Sequence, residues 1–229
     1  MIKYYTAVGR YELHKNQDGM QAPVLIANSK EYEPSISEMA LWSSLLWHIK
    51  DSRSLKAEFE KKRFDMHICE DLSFEYYIVR LEKLGYIRAG NGYTAADALY
   101  SLMAPLYMVP ATCNIWVKLC TFFHLIVNRH LQPHIAARVL RKDRLSGDER
   151  LVMRYAKQNM LSVAELICCI DQNLKDISKD ETIMDNIYNN DDLTCDNLPV
   201  YTRTSINLIP ILQAVTDLYL KRLILLETL

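Results

Sequence analysis

The stretch "YYIVRLEKLGYIRAGNGYTAADALYSLM", residues 76–103, decides the fold. Its apolar residues first recur three and four positions apart, which indicates an amphipathic helix. Gly85 follows where a helix commonly ends in a left-handed residue. Residues 86–89 and 93–94 then predict two short strands around a tight turn at "GNG" (90–92), because such turns favour glycine at positive φ. "AADALYSLM" predicts a further helix.

Three helices are predicted upstream of this ribbon. Ser35 and Glu38 form a capping box that opens the first helix, "PSISEMALWSSLLWHIKD". A more polar helix follows at 54–64. The third helix, at 71–84, carries an apolar stripe whose members are Phe74, Tyr77, Ile78, Leu81 and Leu84. Three short helices followed by a ribbon are the plan of a winged helix-turn-helix.

The N-terminal part of the chain favours a β-hairpin. "YYTAVGRYEL" (4–13) and "APVLIAN" (22–28) are rich in β-forming residues, and Asp18-Gly19 lies between them as a reverse-turn pair. A third extended piece is expected around Tyr32.

The phrase "VRLEKLGYIRAGNGYT" resembles the end of the recognition helix and the wing of bacterial winged-helix transcription regulators, over residues 35–104. In those proteins an "LxxLGxI" phrase precedes the wing and a "YTxxG"-like phrase follows it. Asp97 and Ala98 stand here near the glycine position, so the match is imperfect. The resemblance implies a regulator that binds double-stranded DNA as a homodimer.

A second resemblance competes with the first. A hairpin, then "SISEMALWSSLLWHIKDSRSLKAEFEKKR", then "YYIVRLEKLGYI" is similar to PqqD-like peptide-recognition domains. Those domains place strands before a similar trio of helices and bind a peptide along a strand edge, without binding DNA. The alternative function is therefore a protein- or peptide-binding adaptor. The continuation "RAGNGYT" and the long remainder of the chain depart from that small module.

DNA contact would need cations for phosphates and polar side chains for base edges. The candidates lie on the second and third helices and on the ribbon: Lys56, Lys61, Lys62, Arg63, Tyr76, Arg80, Lys83, Arg88, Asn91 and Tyr93. Residues 35–104 hold nine Lys or Arg and ten Asp or Glu, so any DNA affinity must come from local clustering. A solvated charged face is the alternative for the same residues.

The remainder of the chain predicts helices near 95–108, 111–129, 133–143, 147–158, 162–177 and 206–227, with a loop-like acidic segment at 178–204. The expected fold is mostly α with a small β part (α+β). A β-hairpin and winged-helix domain would fill 1–104, and an all-helical domain 105–229. The last helix predicts a homodimer interface formed by Leu208, Leu212, Val215, Tyr219 and Leu226. Packing inside its own domain is the alternative.

Two segments carry opposite charge. Residues 129–157 hold eight Lys or Arg against three Asp or Glu, a net charge of +5, whereas residues 171–196 have a net charge of −6. The basic segment offers Arg138, Arg141, Lys142, Arg144, Arg150 and Arg154 to an acidic partner. The favoured interpretation is that the acidic segment folds back on the basic helices.

Enzymatic function is not expected, because no phosphate loop, nucleophile elbow or H-E-x-x-H motif occurs. No cofactor or metal is expected, since His130 and His134 are separated by Pro133 and lack a third ligand. Six cysteines without a C-x-x-C pair, no secretory signal and no long apolar span predict a cytoplasmic protein that does not enter membranes.

Overall fold

A computed structural model describes residues 1–15, 19–68, 72–111, 144–189 and 193–228. The chain is mixed α+β, about 50% helical with 21% strand in small sheets. The strands are β1 (Ile2–Ala7), β2 (Arg10–Lys15), β3 (Gln21–Ala27), β4 (Lys30–Tyr32), β5 (Lys50–Asp51), β6 (Ile87–Gly92), β7 (Tyr107–Pro110) and β8 (Ile224–Glu227). The helices are α1 (Ile36–Leu45), α2 (Ser52–Asp65), α3 (Phe74–Leu84), α4 (Ala95–Met103), α5 (Gly147–Gln158), α6 (Val163–Asp171), α7 (Asp180–Ile187), α8 (Leu198–Tyr201) and α9 (Leu208–Leu220), with a 3₁₀ turn at Thr202–Thr204.

Within the described ranges the strands pair antiparallel in three small sheets, β5-β1-β6, β2-β3-β4 and β7-β8. The hairpin forms, but between β2 and β3, from Arg10↔Ile26 to Lys15↔Gln21. The expected strand at 4–13 is divided at Gly9, whose φ is 84°. A Cβ at this position would lie 2.2 Å from the Ile26 carbonyl oxygen, so only glycine can occupy the turn.

The predicted wing is wrong in its local form. β6 runs straight through Gly90, Asn91 and Gly92 and pairs with β1, from Ile2↔Gly92 to Ala7↔Ile87. Neither glycine adopts positive φ. Both are needed because α4 packs against this strand: a Cβ on Gly90 would lie 2.3 Å from the Leu102 nitrogen. Thr94, expected in a return strand, instead caps α4.

Three helix predictions agree with the structure through their caps. Ser35 and Glu38 begin α1 with the expected capping box, and Ser146 with Glu149 and Ser162 with Glu165 begin α5 and α6 in the same way. Gly85 ends α3 in the left-handed region, at φ 85°.

Other boundaries differ from the sequence predictions. The helix expected at 95–108 ends at Met103 and β7 follows, and the helix expected at 162–177 ends at Asp171. The segment expected to be a loop, 178–204, contains α7, α8 and the 3₁₀ turn. The helix expected at 206–227 stops at Leu220, and Arg222 takes φ 61° before β8 begins. The predicted helices at 111–129 and 133–143 fall almost wholly outside the described residues.

The core is continuous along the described chain, from β1, α1 and α3 through α4 and β7 to α6 and α9. Tyr219 of α9 links its two ends. Its hydroxyl accepts hydrogen bonds from the Thr6 hydroxyl and from the Trp47 backbone N–H, both at 2.9 Å. Contacts of this kind cross the expected boundary at residue 104, and the division into two domains stays a prediction.

Candidate functional site

An apolar groove lies between α3 and β4, beside a helix that was expected to contact DNA. It has a volume of about 710 Å³ and is lined by Tyr32, Glu75, Tyr76, Val79, Arg80, Lys83 and Leu84. This volume lies in the range of ligand-binding clefts. One wall is the outer face of α3, and the other begins at the last residue of β4.

Helix α3 has two apolar faces. Ser73 caps its first turn, and Phe74, Tyr77, Ile78 and Leu81 are buried against the core as expected. The outer face is also apolar: Tyr76 is 42% exposed, Val79 49% and Leu84 43%. Leu84 was expected on the buried stripe and lies instead in the groove. Tyr76 and Val79 are neighbours three residues apart, and Leu84 lies one turn after Arg80, so the three form a broad apolar stripe that lines the groove.

Arg80 is held in place at the centre of the groove. Its Nε lies 2.9 Å from the Glu38 carboxylate, and its Nη atoms donate to the hydroxyls of Tyr76 (3.0 Å) and Tyr32 (3.2 Å). The hydrogen bonds to Tyr76 and Tyr32 and the charge of Glu38 raise the pKa of Arg80. The guanidinium therefore acts as a fixed cation that joins α3 to α1 and β4.

Glu38 is the buried partner of this network. Its side chain is 3% exposed, accepts a hydrogen bond from the Tyr32 hydroxyl at 2.8 Å, and accepts another from the Ser35 N–H at 2.8 Å. Burial and the nearby carboxylate raise the pKa of Tyr32. Glu38 thus caps α1 and fixes the groove at once, and its capping role was the only signal visible in the sequence.

Strand β4 presents an open edge beside the groove. It follows β3 through a two-residue turn in which Asn28 and Ser29 both have positive φ, 48° and 56°. In such a turn Ala27 and Lys30 form the hydrogen-bonded pair, so Glu31 directs its own N–H and C=O away from β3. Among the described residues β4 is the last strand of its sheet. The edge can therefore accept an additional strand.

A pair of stacked tyrosines holds β4 against the residue that follows α3. The rings of Tyr32 and Tyr86 stack with centroids 5.4 Å apart, and the Tyr86 hydroxyl donates to the Lys30 carbonyl at 3.1 Å. Tyr86 comes directly after the Gly85 cap, so the end of α3 determines where β4 lies. Both walls of the groove are consequently fixed by the same few residues.

The ten candidate DNA-contacting residues do not form one basic surface. Four of their cations lie within ion-pairing distance of carboxylates: Lys56 with Glu75 (2.7 Å), Lys62 with Glu58 (3.8 Å), Arg63 with Glu60 (3.9 Å) and Arg80 with Glu38 (2.9 Å). Burial also lowers the pKa of Lys62. The positive charge of α2 and α3 is largely balanced within the chain.

The remaining candidates are spread over separate regions. Lys61 lies on α2, Tyr76 and Lys83 line the groove, and Arg88, Asn91 and Tyr93 lie on or just beyond β6, all of them exposed. Arg88 contributes to a different cavity, together with Arg203. Only Tyr76, Arg80 and Lys83 of the ten are brought together in the groove.

The five residues predicted to form a dimer interface are buried inside their own chain. Leu208 is 9% exposed, and Leu212, Val215, Tyr219 and Leu226 are each 2% exposed or less. Four of them lie on α9, and Leu226 lies on β8, which pairs with β7. The expected exposed face is therefore wrong, because strands and helices earlier in the chain cover it. Dimerisation itself stays a prediction and would need other residues.

The charge-asymmetric segments are described only in part, since Arg138, Arg141 and Lys142 lie outside the described residues. Asp171 accepts hydrogen bonds from Ser205 and Asn207, at 2.8 Å and 2.7 Å. These donors are neutral. Across the portions of the two segments that are described, no ion pair joins acidic to basic.

The described ranges hold neither a cluster of metal ligands nor a membrane-spanning helix. No group of three potential metal ligands is found there, and His130 and His134 lie outside those ranges. No helix in the described part of the chain is long and apolar enough to cross a bilayer.

Comparison with known proteins finds no family model that matches the chain, no similar curated protein and no similar solved structure.

Proposed function

We propose that the chain is a protein-binding adaptor that captures an extended peptide segment in the groove between α3 and β4. The observation that carries this proposal is the meeting of an open strand edge with an exposed apolar stripe. An added strand gains affinity from main-chain hydrogen bonds to the edge and specificity from pockets for alternate side chains. Glu31 supplies the edge, and Tyr76, Val79 and Leu84 supply the pocket.

Preorganisation supports the same function. Arg80, Glu38 and Tyr32 hold the two walls together by hydrogen bonds of 2.8–3.2 Å. A groove that is fixed before the peptide arrives loses less conformational entropy on binding. The partner peptide is expected to place an apolar side chain on Val79 and an acidic side chain near Lys83, whose ammonium makes no ion pair with a described carboxylate.

A displayed random-peptide library tests this function. The expected result is enrichment of apolar-acidic peptides on the intact chain and loss of their binding on Val79→Lys, measured by fluorescence anisotropy. Ile206→Lys is the matched control, because Ile206 is also exposed, at 94%, but lies outside the groove. Enrichment of the same peptides on Val79→Lys would refute the proposal.

The strand edge can be tested separately from the pocket. Glu31→Pro removes the N–H that points outward and leaves the pairing of Lys30 and Tyr32 with β3 in place. We expect Glu31→Pro to weaken the selected peptide at least tenfold and Glu31→Ala to leave it nearly unchanged, because only the backbone is used. Equal affinities of these two variants would exclude strand addition.

A DNA-binding transcription regulator is the second candidate function. It is favoured by one observation: Lys61, Lys83 and Arg88 are exposed cations without a carboxylate partner among the described residues. Binding to DNA fragments from around the protein's own gene, at two salt concentrations, tests it. The double variant Lys83→Ala/Arg88→Ala should then lose affinity by about 1–3 kcal/mol or reduce the salt slope.

The homodimer proposed with that function has its own measurement. Light scattering at micromolar concentration should give twice the chain mass of 26.6 kDa if the chain dimerises. A mass of one chain would exclude a symmetric dimer that binds two DNA half-sites. The peptide-binding function does not depend on this outcome.

A further inference from the structure

A second cavity lies away from the α3–β4 groove. It has a volume of about 450 Å³, and its walls come from β6, the end of α4, and the segment from Cys195 to the 3₁₀ turn. Its lining includes Arg88, Tyr100, Pro105, Cys195, Pro199 and Arg203. We refer to it as the Arg88–Arg203 pocket. Its volume is suited to a small molecule.

Two guanidinium groups line this pocket from opposite parts of the sequence. Neither Arg88 nor Arg203 lies within 4.0 Å of a carboxylate oxygen of the described chain. Asp196 is the acidic residue of the lining. The charge of Arg203 also helps to lower the pKa of Asp97, although the hydrogen bonds from Thr94 contribute more. The charged side chains of the lining thus leave an excess of one positive charge.

The wall that carries Arg203 is rigid. The Tyr100 hydroxyl donates to the Pro199 carbonyl at 2.9 Å and is hydrogen-bonded to the Thr202 hydroxyl at 2.5 Å. Tyr100 and Thr202 are each 2% exposed. The Arg203 guanidinium lies 5.9 Å from the centre of the Tyr100 ring, a cation–π distance. The buried tyrosine therefore fixes both the turn and the direction of the arginine.

The opposite wall is also fixed. Arg88 lies on β6 and pairs with Thr6 of β1, and Thr6 is fully buried and hydrogen-bonded to Tyr219. Both arginines are therefore carried by fixed backbone, and each guanidinium can offer two parallel N–H donors to an oxyanion. Pro105, Pro199 and Val200 supply apolar surface between them.

We propose that the Arg88–Arg203 pocket binds a small organic dianion, with its acidic group between the two guanidiniums and its carbon body on the proline and valine surface. A phosphate monoester and a dicarboxylate share this chemistry. This ligand site is distinct from the peptide groove, and its argument does not depend on peptide binding.

Calorimetric titration with phenyl phosphate and with phthalate tests the pocket, with inorganic phosphate as a third probe. At least one of the two organic dianions should bind the intact chain, and more tightly than inorganic phosphate does. Whichever binds tighter identifies the acidic group. Arg88→Gln and Arg203→Gln should each weaken that probe about tenfold or more, since each removes a charge-assisted contact.

Arg154→Gln is the matched control. Arg154 is exposed and its guanidinium stacks on a tyrosine, Tyr155, at 5.6 Å, as Arg203 does on Tyr100, but it does not line the pocket. This variant should bind the probe as the intact chain does. The proposal is overturned if neither organic dianion binds at millimolar concentration, or if all three arginine variants weaken binding equally.

Cys195 provides an independent readout, because it is exposed and lines the pocket. Alkylation by iodoacetamide, followed by peptide mass mapping, reports this thiol alone. The bound probe should slow alkylation of Cys195 in the intact chain and not in Arg88→Gln. Thermal melting of each variant verifies folding. Equal protection of Cys195 in the intact chain and in Arg88→Gln would contradict binding between the two arginines.

Discussion

Two helix–strand units of this chain are built alike and used differently. Helix α3 ends at Gly85 (φ 85°) and leads into β6, and α9 is followed by Arg222 (φ 61°) and then β8. In both units the next backbone N–H bonds five residues back, from Tyr86 to Leu81 at 3.0 Å and from Leu223 to Leu218 at 2.9 Å. Both helices therefore end in the same left-handed motif.

The two helices differ in what covers them. Helix α3 buries four side chains and leaves Tyr76, Val79 and Leu84 exposed, whereas α9 buries seven and leaves only Ile209 and Leu220 as exposed large apolar residues. The same local plan thus gives a solvent-facing wall in one unit and a core element in the other. What surrounds a motif, rather than the motif itself, decides whether its helix is available to a partner.

The largest expected effect comes from the tyrosine of α9. Tyr219 is 1% exposed, and its hydroxyl joins Thr6, the Trp47 N–H and the Leu45 carbonyl. Tyr219→Ala should lower the free energy of unfolding by about 3–5 kcal/mol, because it leaves a cavity and an unpaired Trp47 N–H, whereas the Thr6 hydroxyl can still donate to the His48 carbonyl at 3.1 Å. Urea denaturation measures this. Tyr76→Ala on α3 is the matched control and should cost less than about 1 kcal/mol.

Equal losses in these two tyrosine variants would erase the contrast between α3 and α9. If Tyr219→Ala were tolerated, α9 would not be the element that joins the two ends of the chain. The contact between Tyr219 and Thr6 would then make no measurable contribution to the free energy of unfolding.

The next effect concerns the strand after α3. Gly90→Ala would place its Cβ 2.3 Å from the Leu102 nitrogen and 2.4 Å from the Ala98 carbonyl oxygen. We expect a loss of about 1–3 kcal/mol, because backbone atoms cannot move aside as a side-chain tip can. Asn91→Ala, at an exposed position of the same strand, is the control and should be nearly neutral. The two variants are compared by thermal melting.

The wing prediction failed at this same glycine. A glycine in a sequence can have two causes: a backbone at positive φ, or another backbone that lies too close for a Cβ. The sequence pattern does not show which of the two applies. "GNG" fitted the turn, and only the tertiary position of α4 distinguishes the two causes. If Gly90→Ala proves harmless, the close approach of α4 does not require glycine at this position either.

A pH effect separates the hydroxyl of Tyr219 from its ring. Burial raises the pKa of Tyr219 from an ordinary value of 10.0 to about 12. The neutral phenol therefore stabilises the fold fully below about pH 10, and this share is lost as the pH rises toward about 12. Tyr219→Phe has no hydroxyl to ionise, so its stability lacks this pH-dependent contribution. The stability difference between intact chain and Tyr219→Phe should narrow from about pH 10 to about pH 12.

Other tyrosines with a raised pKa, among them Tyr107, titrate in both proteins and cancel in this difference. A constant difference over that range would mean that the Tyr219 hydroxyl keeps its ordinary pKa. Urea denaturation at each pH supplies the two free energies.

Local signals predicted much of the fold. Capping boxes at Ser35, Ser146 and Ser162 placed three helix starts, and Gly85 placed the end of α3. These features depend on neighbours within a few residues, so the sequence contains all of the cause. The end of α9 was missed because Arg222 is not a residue that normally marks a left-handed stop.

The groove was harder to predict than the helices that form it. Arg80 and Tyr76 were singled out for DNA, but Tyr32 and Glu38 come from separate elements, and their contact with Arg80 depends on tertiary packing. Val79 was given no role, and Leu84 was assigned to the buried stripe, so neither was identified as a groove residue. The signal that could have found the groove was a second apolar stripe on α3, opposite the core.

The smallest expected effect compares the two left-handed residues directly. Gly85→Ala should cost about 1–2 kcal/mol, because a Cβ is disfavoured at φ 85° and no atom within 4 Å would clash with it. Arg222→Gly removes the same strain at φ 61°, a gain of about 0.5–1 kcal/mol. It also removes the cation–π contact of Arg222 with Trp47, at 5.3 Å, which contributes about 0.5–1 kcal/mol. The two terms oppose each other, so the net change should be near zero. Urea denaturation of both variants decides: a clear gain in Arg222→Gly would show that the Trp47 contact is weak, and a clear loss that it outweighs the strain.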